Sequence, residues 1–453
     1  MTWVDSANAA LLTDLYELTM AASYHRRGMN APATFDLFVR DLPARRNFMV
    51  VAGLEQALSY LEELAFDDGS LGYLESLQMF DASFLDYLGG FRFSGEVWAM
   101  PEGEIAFEKE PLLRVTAPLI EAQIVETFLL NCVTFQTMVA SKAARVSLAS
   151  GDRKFIDFSL RRDHGADAGL KAARASFIAG ASATSNVLAG KMFGIPVSGT
   201  MAHSYVMAFE SEIEAFRAYG RDFPEQAVLL IDTFDVAQGA RRAVDVANEL
   251  SSEGFILRGV RIDSGDLAEL SRTVRGILDA AGFPDTQIIL SGDLDEYRVE
   301  EMLRLEVPVD VFGVGTQMGT SADSPFLGAV YKLVAEQDIP KVKLSAGKVT
   351  LPGLKQVHRV SDRGHFERDV ITLEGERVPG GRPLLERVMS DGRRMQEIES
   401  LEVIRDRCAS SLEQLPDPLR SLGPDRAFYP VELSEDLEAL AKRVEESLAA
   451  QRG

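Results

Sequence analysis

The sequence contains 453 residues, of which 46% are hydrophobic and 26% charged, and its net charge is −22 at pH 7. This length exceeds one ordinary hydrophobic core, so two or three domains are expected. The acidic balance argues against a general binder of nucleic acid or of an anionic membrane. Any anion site must therefore be built locally, from a few arginines, lysines and backbone amides.

The chain is expected to work in the cytoplasm without a membrane anchor. Its apolar runs are all shorter than a transmembrane helix, and its first residues lack the basic stretch and apolar core of a signal peptide. The two cysteines, Cys132 and Cys408, fit a reducing compartment in which thiols stay free.

The first part of the chain mixes helical and strand patterns. Residues 11–22 follow helical spacing, 33–43 alternate like a strand, and 50–64 predict a second helix. Short alternating runs punctuated by prolines predict a small antiparallel sheet over 95–118. We therefore predict an N-terminal α+β domain over residues 1–130.

Strand, glycine-bearing loop and helix alternate from about residue 150 onward. This alternation with short connections predicts parallel strands. We predict an irregular (β/α) barrel of the TIM type over residues 131–350, with a doubly wound sheet as the alternative that lacks its GxGxxG fingerprint. The expected strands are 153–160, 194–198, 227–231, 256–262, 286–290, 309–314 and 329–334, and the expected helices are 172–188, 206–218, 236–250, 268–281 and 297–305.

The end of the chain is charged and reads as irregular. Two helical stretches close it, at 396–412 and 432–449. We predict that residues 351–453 form an extension that packs on the N-terminal domain.

Polar residues and glycines follow the predicted strands, where a parallel barrel places its active site. They are Phe158, Arg161, Thr200, His203, Asp232, Arg261, Asp263, Gly292, Asp293, Gly313, Gly315 and Thr316. Each type has an ordinary structural alternative: an aspartate that caps a helix, an arginine in a surface ion pair, or a glycine in a turn. Their recurrence at successive strand ends favours one common site.

These residue types indicate a phosphorylated, ribose-like anionic substrate. The GVGT run at 313–316 offers backbone amides and a hydroxyl to a phosphate. Aspartates beside a phosphate suit Mg²⁺ or ribose hydroxyls, and arginine pairs with a carboxylate or phosphate through two parallel hydrogen bonds. The sequence contains no Walker A motif, which argues against a P-loop kinase or ATPase.

Nine segments spread over almost the whole chain carry distinctive motifs. They are LLTDLYELTMAASY (11–24), FDLFVRDLP (35–43), DFSLRR (157–162), SNVLAGKMFGIPVSGTMAHSYVMAF (185–209), LIDTFD (230–235), GVRIDSGDL (259–267), SGDLDEY (291–297), FGVGT (312–316) and KLSAGKVTLPGLKQVHR (343–359). Together, and in this order, they resemble the nicotinate phosphoribosyltransferase family. The resemblance implies that nicotinate attacks the anomeric carbon of phosphoribosyl pyrophosphate, giving nicotinate mononucleotide and pyrophosphate in the Preiss–Handler salvage route to NAD.

The resemblance also implies roles for individual residues. His203, in the GTMAHS motif, would be transiently phosphorylated by ATP, whose hydrolysis this family couples to the reaction, and Thr200 would line the pocket. Phe158 would stack on the pyridine ring, while Arg161 would pair with the nicotinate carboxylate. Tyr16 would close the other face of the ring from across a dimer interface.

Further residues would contact the ribose and the phosphates. Arg261 and Asp263 would contact the substrate and its ribose hydroxyls, and Gly292, Asp293, Gly313, Gly315 and Thr316 would cradle phosphate. We predict His203, Asp232 and Asp263 as the catalytic residues. Arg40, Lys343, Lys348 and Lys355 are additional candidates for the pyrophosphate or the ATP phosphates. The family also implies Mg²⁺, ATP as a co-substrate, and a homodimer with shared active sites.

Two features bear on which pyridine is used. Ser159-Leu160 precede the paired arginines, where the family often has an acid or glycine, so the shape of this loop stays open. The related nicotinamide enzyme has a carboxylate for the amide, whereas Ser182 and residues 184–186 here are uncharged, which favours the acid. A nicotinamide or quinolinate phosphoribosyltransferase, and an inactive ligand sensor on the same fold, are the alternatives.

Overall fold

A computed structural model describes residues 4–5, 7–337, 339–343 and 350–450. The chain divides into two compact units, the first comprising Met1–Ser141 with Phe326–Gly453 and the second Lys142–Pro325. Within the described ranges, helices are too short or too polar to cross a bilayer.

The first unit contains eight α-helices and a short 3-10 helix among its described residues, and some of these α-helices begin at an acidic cap. Asp67 accepts the N–H of Ser70, and Asp81 accepts that of Phe84. The 3-10 helix is Ala9–Leu11, and the α-helices are Leu15–Arg26, Leu54–Glu63, Asp68–Ser76, Ala82–Gly89, Leu119–Ile124, Leu401–Gln414, Asp417–Arg420 and Glu435–Ala450. The long helix Glu126–Ser150 begins in this unit and ends in the second.

A seven-stranded antiparallel sheet forms the centre of the first unit. Its order is Ile339–Pro340, Ala329–Glu336, Pro32–Val39, Pro111–Pro118, Glu96–Ala99, Glu386–Ser390 and Arg393–Arg394. The prediction of 329–334 as a barrel strand is wrong, because this strand pairs antiparallel with Pro32–Val39. Tyr331 stacks on Phe35 at a centroid distance of 4.8 Å, so aromatic packing in this core fixes its place.

The C-terminal region contains regular strands where irregular structure was predicted. A four-stranded sheet has the order Gly381–Pro383, Lys355–Asp362, His365–Leu373 and Val431–Leu433. A separate two-stranded sheet, formed by the N-terminal part of the chain, pairs Met49–Val50 with Ile105–Ala106. The charges that suggested a loop are partly internal: Arg359 is 1% exposed and lies 2.6 Å from Asp369, which is fully buried. Because these charged side chains are buried as an ion pair, the hydropathy of the sequence did not reveal the two strands that carry them.

The same buried cluster contains a carboxyl group that needs a proton. Glu110 is fully buried; its Oε2 accepts the N–H of Phe107 at 2.8 Å, while Oε1 has no donor among the described residues. Burial, followed by the charge of Asp369 and a hydrogen bond to it, raises the pKa of Glu110 well above its usual value. The protonated acid supplies the hydrogen of this carboxyl–carboxylate contact.

We expect Glu110→Gln to reduce the loss of unfolding free energy that occurs as the pH rises. Because the folded-state pKa is raised, Glu110 favours folding at low pH, and this contribution is lost from about pH 4.5 upward at up to about 1.4 kcal/mol per pH unit. A glutamine amide accepts from Phe107 and donates to Asp369 without titrating. Urea unfolding between pH 5 and 9 measures this, with exposed Glu402→Gln as the matched control. An unchanged slope in Glu110→Gln would contradict the assignment.

The second unit is built on an all-parallel six-stranded sheet. Its order is Ala183–Thr184, Lys154–Asp157, Val311–Val314, Gln287–Leu290, Gly259–Ile262 and Val228–Leu230. The helices described in this unit are Ala166–Ile178, Val187–Phe193, His203–Met207, Glu212–Asp222, Val236–Ser252, Leu267–Ala280, Glu296–Arg304 and Thr316–Gly319. The predicted alternation of parallel strands and helices is confirmed.

The strand order is cyclic. Lys154–Asp157, the first strand of the unit in sequence, pairs with the last, Val311–Val314, and a single parallel bridge adds Val197 beside Thr184. A doubly wound sheet places consecutive strands on either side of its first strand, so this order differs from that alternative. The sheet is a curled parallel half-barrel.

Two predicted helices are wrong as single elements. The segment 172–188 divides into the end of helix Ala166–Ile178, strand Ala183–Thr184 and the start of helix Val187–Phe193. Gly180, with φ of +115°, turns the chain before the strand, and the Asn186 side chain caps the second helix. The predicted helix 206–218 is likewise divided, into His203–Met207 and Glu212–Asp222.

Candidate active site

The carboxyl edge of the parallel sheet brings Phe158 against two glycines. The Phe158 N–H donates to the carbonyl of Val314 at 2.8 Å. A Cβ on Gly313 would lie 2.7 Å from the Phe158 ring, and one on Gly315 would lie 3.0 Å from its carbonyl oxygen. Both glycines therefore have a steric reason to lack a side chain, which their sequence position alone did not reveal.

Arg261 links three neighbouring segments of this edge. Its guanidinium donates to Ser291 Oγ at 2.7 Å, to Thr200 Oγ1 at 2.9 Å and to Asp263. The guanidinium carbon also lies 5.3 Å from the centre of the Phe158 ring. Burial alone would raise the pKa of Asp263, but hydrogen bonds from Ser291 and Arg261 and the guanidinium charge lower it, so this carboxylate stays ionised.

A cavity of about 210 Å³ opens beside this network. Its lining consists of Phe158, Leu160, Arg161, Ser185, Gly199, Thr200 and Arg261. Arg161 is exposed, and the cavity wall near Ser185 is uncharged. The pattern of strand ends predicted Phe158, Arg161, Thr200 and Arg261 in one place. Ser185 was predicted as part of an uncharged pocket wall, whereas Leu160 and Gly199 lie in the family motifs but had no predicted lining role.

His203 begins a short helix and faces an aspartate. Its Nδ1 lies 3.1 Å from Thr233 Oγ1, and its Nε2 lies 4.0 Å from Asp232 Oδ1. The Asp232 side chain is 2% exposed; its Oδ2 accepts from Asp263 N–H at 3.0 Å and from Ser264 Oγ at 2.6 Å. Oδ1 has no hydrogen-bond donor among the described residues, so it is free for a proton on Nε2 or for a cation.

The turn after strand Gln287–Leu290 packs on this network. Gly292 has φ of +101°, and a Cβ there would lie 2.0 Å from the Asp263 carbonyl oxygen. Asp293 also has positive φ, at +47°, and its side chain is exposed. Thr316 opens the short helix Thr316–Gly319 at the end of strand Val311–Val314. At this sheet edge Arg261 therefore contacts Phe158, Thr200 and Asp263, and Gly292 packs on Asp263.

The remaining candidates lie in the first unit. Tyr16 is 45% exposed in helix Leu15–Arg26, near Glu126. Arg40 is half-buried and Lys343 exposed, whereas Lys348 lies outside the described residues.

Lys355 lies in an ion pair of the first unit and borders a cavity that Arg40 also lines. It is 4% exposed, and its ammonium contacts Asp36 Oδ2 and the carbonyls of Leu351 and Gly353 at 2.6–2.8 Å. All three N–H bonds of the ammonium are used in this arrangement, and the phosphate role of Lys355 stays a prediction.

Acidic residues at the site fit a magnesium ion only in part. The described residues contain no group of three or more histidine, cysteine or acidic side chains arranged to hold a metal. Mg²⁺ in phosphate-transfer sites commonly takes one or two carboxylates and completes its shell with substrate phosphate and water. The free Oδ1 of Asp232 fits that mode of binding.

Family models cover most of the chain. Those described as the N-terminal domain, the family and the C-terminal domain of nicotinate phosphoribosyltransferase match residues 11–134, 153–336 and 381–441. Nicotinate phosphoribosyltransferase pncB2 of Mycobacterium tuberculosis is 46% identical over 94% of this chain and 92% of its own length. The chain belongs to the nicotinate phosphoribosyltransferase family. The resemblance found in the sequence motifs is confirmed.

Further nicotinate phosphoribosyltransferases agree with this placement. The Bacillus subtilis protein of that name is 44% identical, over 82% of this chain and 77% of its own length. A crystal structure of human nicotinic acid phosphoribosyltransferase is 30% identical, with a TM-score of 0.86, and the match covers 95% of this chain and 99% of that one. The mixed α/β fold is therefore that of this family.

Proposed function

We propose that this chain transfers a phosphoribosyl group from phosphoribosyl pyrophosphate to nicotinate, releasing pyrophosphate and forming nicotinate mononucleotide for NAD biosynthesis. The identity of 44–46% to proteins named nicotinate phosphoribosyltransferase supports the reaction. The observation that carries the substrate choice is the cavity that joins Phe158 and exposed Arg161 to an uncharged wall at Ser185. A carboxylate ligand finds a cation there and meets no fixed negative charge on that wall.

The nicotinate would lie between Phe158 and Arg161 with its ring nitrogen toward the ribose. Phe158 offers a ring face for stacking, and Arg161 offers two parallel N–H donors to the carboxylate. Arg261 is already fixed by Thr200, Ser291 and Asp263, so it would meet the substrate without rearranging. This preorganisation matters because the reaction requires the ring nitrogen and the anomeric carbon to be aligned.

Phosphate chemistry would fall to the neighbouring strand ends. Gly292, Asp293 and Thr316 are proposed to border the phosphates, and Asp263 the ribose hydroxyls. Mg²⁺, when bound at Asp232 and the substrate phosphates, would offset the charge of the departing pyrophosphate. His203 is proposed to accept a phosphoryl group from ATP, because Thr233 orients Nδ1 and leaves Nε2 directed at Asp232.

The assembly and the complete barrel are also proposals. We propose that the half-barrel belongs to an irregular (β/α) barrel, supported by its cyclic strand order. We further propose a cytoplasmic homodimer in which Tyr16 of the partner subunit closes the pyridine site. The exposed position of Tyr16 supports this role.

Steady-state assays with three pyridines test the reaction. The purified chain, phosphoribosyl pyrophosphate and Mg²⁺ are combined with nicotinate, nicotinamide or quinolinate, with and without ATP, and pyrophosphate release is followed. We expect turnover with nicotinate and at least a hundredfold lower kcat/KM with nicotinamide, because the amide cannot form the charged pair with Arg161 (about 3 kcal/mol). Turnover of nicotinamide without turnover of nicotinate would overturn the proposal, and nicotinate binding without pyrophosphate release would favour the ligand sensor.

A further inference from the structure

Two carboxyl groups share one hydroxyl beneath the loop that carries Phe158 and Arg161. Ser159 Oγ lies 2.6 Å from Asp157 Oδ1 and 3.0 Å from Asp163 Oδ2. Ser159 is fully buried and Asp157 is 1% exposed. A serine hydroxyl has a single hydrogen, so it donates to only one of the two groups. The second contact requires a proton on a carboxyl.

We assign Asp157 as the ionised member of the pair: burial raises its pKa, but hydrogen bonds from Ser159 and Thr184 act in the opposite direction. Its Oδ1 also accepts the N–H of Ser159 at 2.9 Å, and its Oδ2 accepts the hydroxyl of Thr184 at 2.7 Å. Several donors stabilise a carboxylate, whereas Asp163 has Ser159 as its one hydrogen-bond partner among the described residues, and its Oδ1 is buried there without a donor. The proton therefore resides on Asp163, which donates to Ser159, which in turn donates to Asp157.

The surroundings of Asp163 favour the neutral acid. A Cβ on Gly319 would lie 2.1 Å from its Oδ1, and one on Gly169 would lie 3.3 Å from its Oδ2, so two helices enclose the carboxyl with glycines. The titratable groups acting on it are Asp157 from the adjacent strand, which raises the pKa of Asp163, and His164 from its own loop, which lowers it. Burial first, and then Asp157, raise the pKa of Asp163 to about 6.

We propose that Asp163 is a positioning residue whose proton holds residues 158–162 in the geometry that binds nicotinate. The inference rests on the proposed function, since it takes Phe158 and Arg161 as the pyridine site. Ser159 lies between them in the loop, and its carbonyl accepts the N–H of Arg162 at 2.7 Å. Loss of the proton leaves two carboxylates competing for one hydroxyl, which releases one of the ties on this loop. Nicotinate affinity then falls as pH rises above about 6.

The test measures the KM for nicotinate between pH 6 and 8 in the parent protein and three variants. In Asp163→Asn the amide donates to Ser159 at every pH, so its KM is expected to stay flat, while that of the parent rises about fivefold or more, because a required proton costs up to tenfold per pH unit. Asp163→Ala has no donor, and its KM is expected to be high throughout. Exposed Asp167→Asn is the matched control, with the parent's pH profile.

Each outcome decides the inference. A parent KM independent of pH, or an Asp163→Asn profile as steep as the parent's, overturns it. Phosphoribosyl pyrophosphate titrates identically in all four proteins, so the comparison isolates Asp163. Thermal unfolding distinguishes failure of this inference from failure of the proposed function, because it detects the proton on Asp163 without any substrate. If Asp163 holds that proton, the parent loses stability relative to Asp163→Asn between about pH 3.8 and about pH 6, and the difference stays constant at higher pH. That stability window with no effect on nicotinate would mean that the pyridine site lies elsewhere, which overturns the positioning role.

Discussion

His203→Ala is expected to abolish the stimulation of turnover by ATP while a slow ATP-independent reaction remains. The proposed phosphoryl acceptor is the imidazole, and alanine supplies no nitrogen. The cavity beside Phe158 and the Arg261 network do not use His203 for their hydrogen bonds, so binding of both substrates should persist. A charged phosphohistidine would bias nearby loops toward tight substrate binding, so its loss removes the gain and leaves the basal chemistry.

The measurement is the rate of nicotinate mononucleotide formation with and without ATP, together with transfer of radiolabelled γ-phosphate to the protein. Exposed His365→Ala, in a strand of the first unit, is the matched control and should keep both signals. Asp232→Asn should reduce labelling, because the carboxylate near Nε2 becomes a neutral amide. Unchanged ATP stimulation in His203→Ala would refute the phosphohistidine role.

The convergence of site residues was predictable because it follows from topology. Parallel strands end at one sheet edge, so residues such as His203, Arg261 and Asp263 meet there although they are far apart in the sequence. Arg261 lies in strand Gly259–Ile262, and Asp263 is the first residue after that strand. The family motifs reinforced the same set, since they occupy those loops.

Tertiary pairing was not predictable from local pattern. Strand Ala329–Glu336 has the same apolar texture as the parallel strands, yet it joins an antiparallel sheet through contacts with a strand almost 300 residues away. The buried ion pair of Lys355 with Asp36 was not predictable either, because the local sequence does not reveal whether a lysine ammonium is buried. The proton proposed on Asp163 likewise follows from a single hydroxyl lying between two carboxyl groups, an arrangement that exists only in the folded loop.

Arg161→Ala is expected to raise the KM for nicotinate about 30- to 150-fold while the KM for phosphoribosyl pyrophosphate stays within about twofold. The substitution removes a charge-assisted pair with the carboxylate, which is worth about 2–3 kcal/mol in a half-open site. Arg161 is exposed in a cavity, so its truncation leaves no buried partner and should not disturb folding. Arg161→Lys should fall between, because it keeps the charge and loses the parallel donors.

The matched control lies one residue away. Arg162 is exposed and is not among the residues that line the cavity, so Arg162→Ala should leave the KM for nicotinate unchanged. Nicotinamide, tested as a competitive inhibitor, should lose much less affinity in Arg161→Ala than nicotinate does, because it has no carboxylate to pair. If Arg161→Ala instead weakened only phosphoribosyl pyrophosphate, the arginine would belong to the phosphate site, and Phe158 would lose its charged partner in the proposed pyridine site.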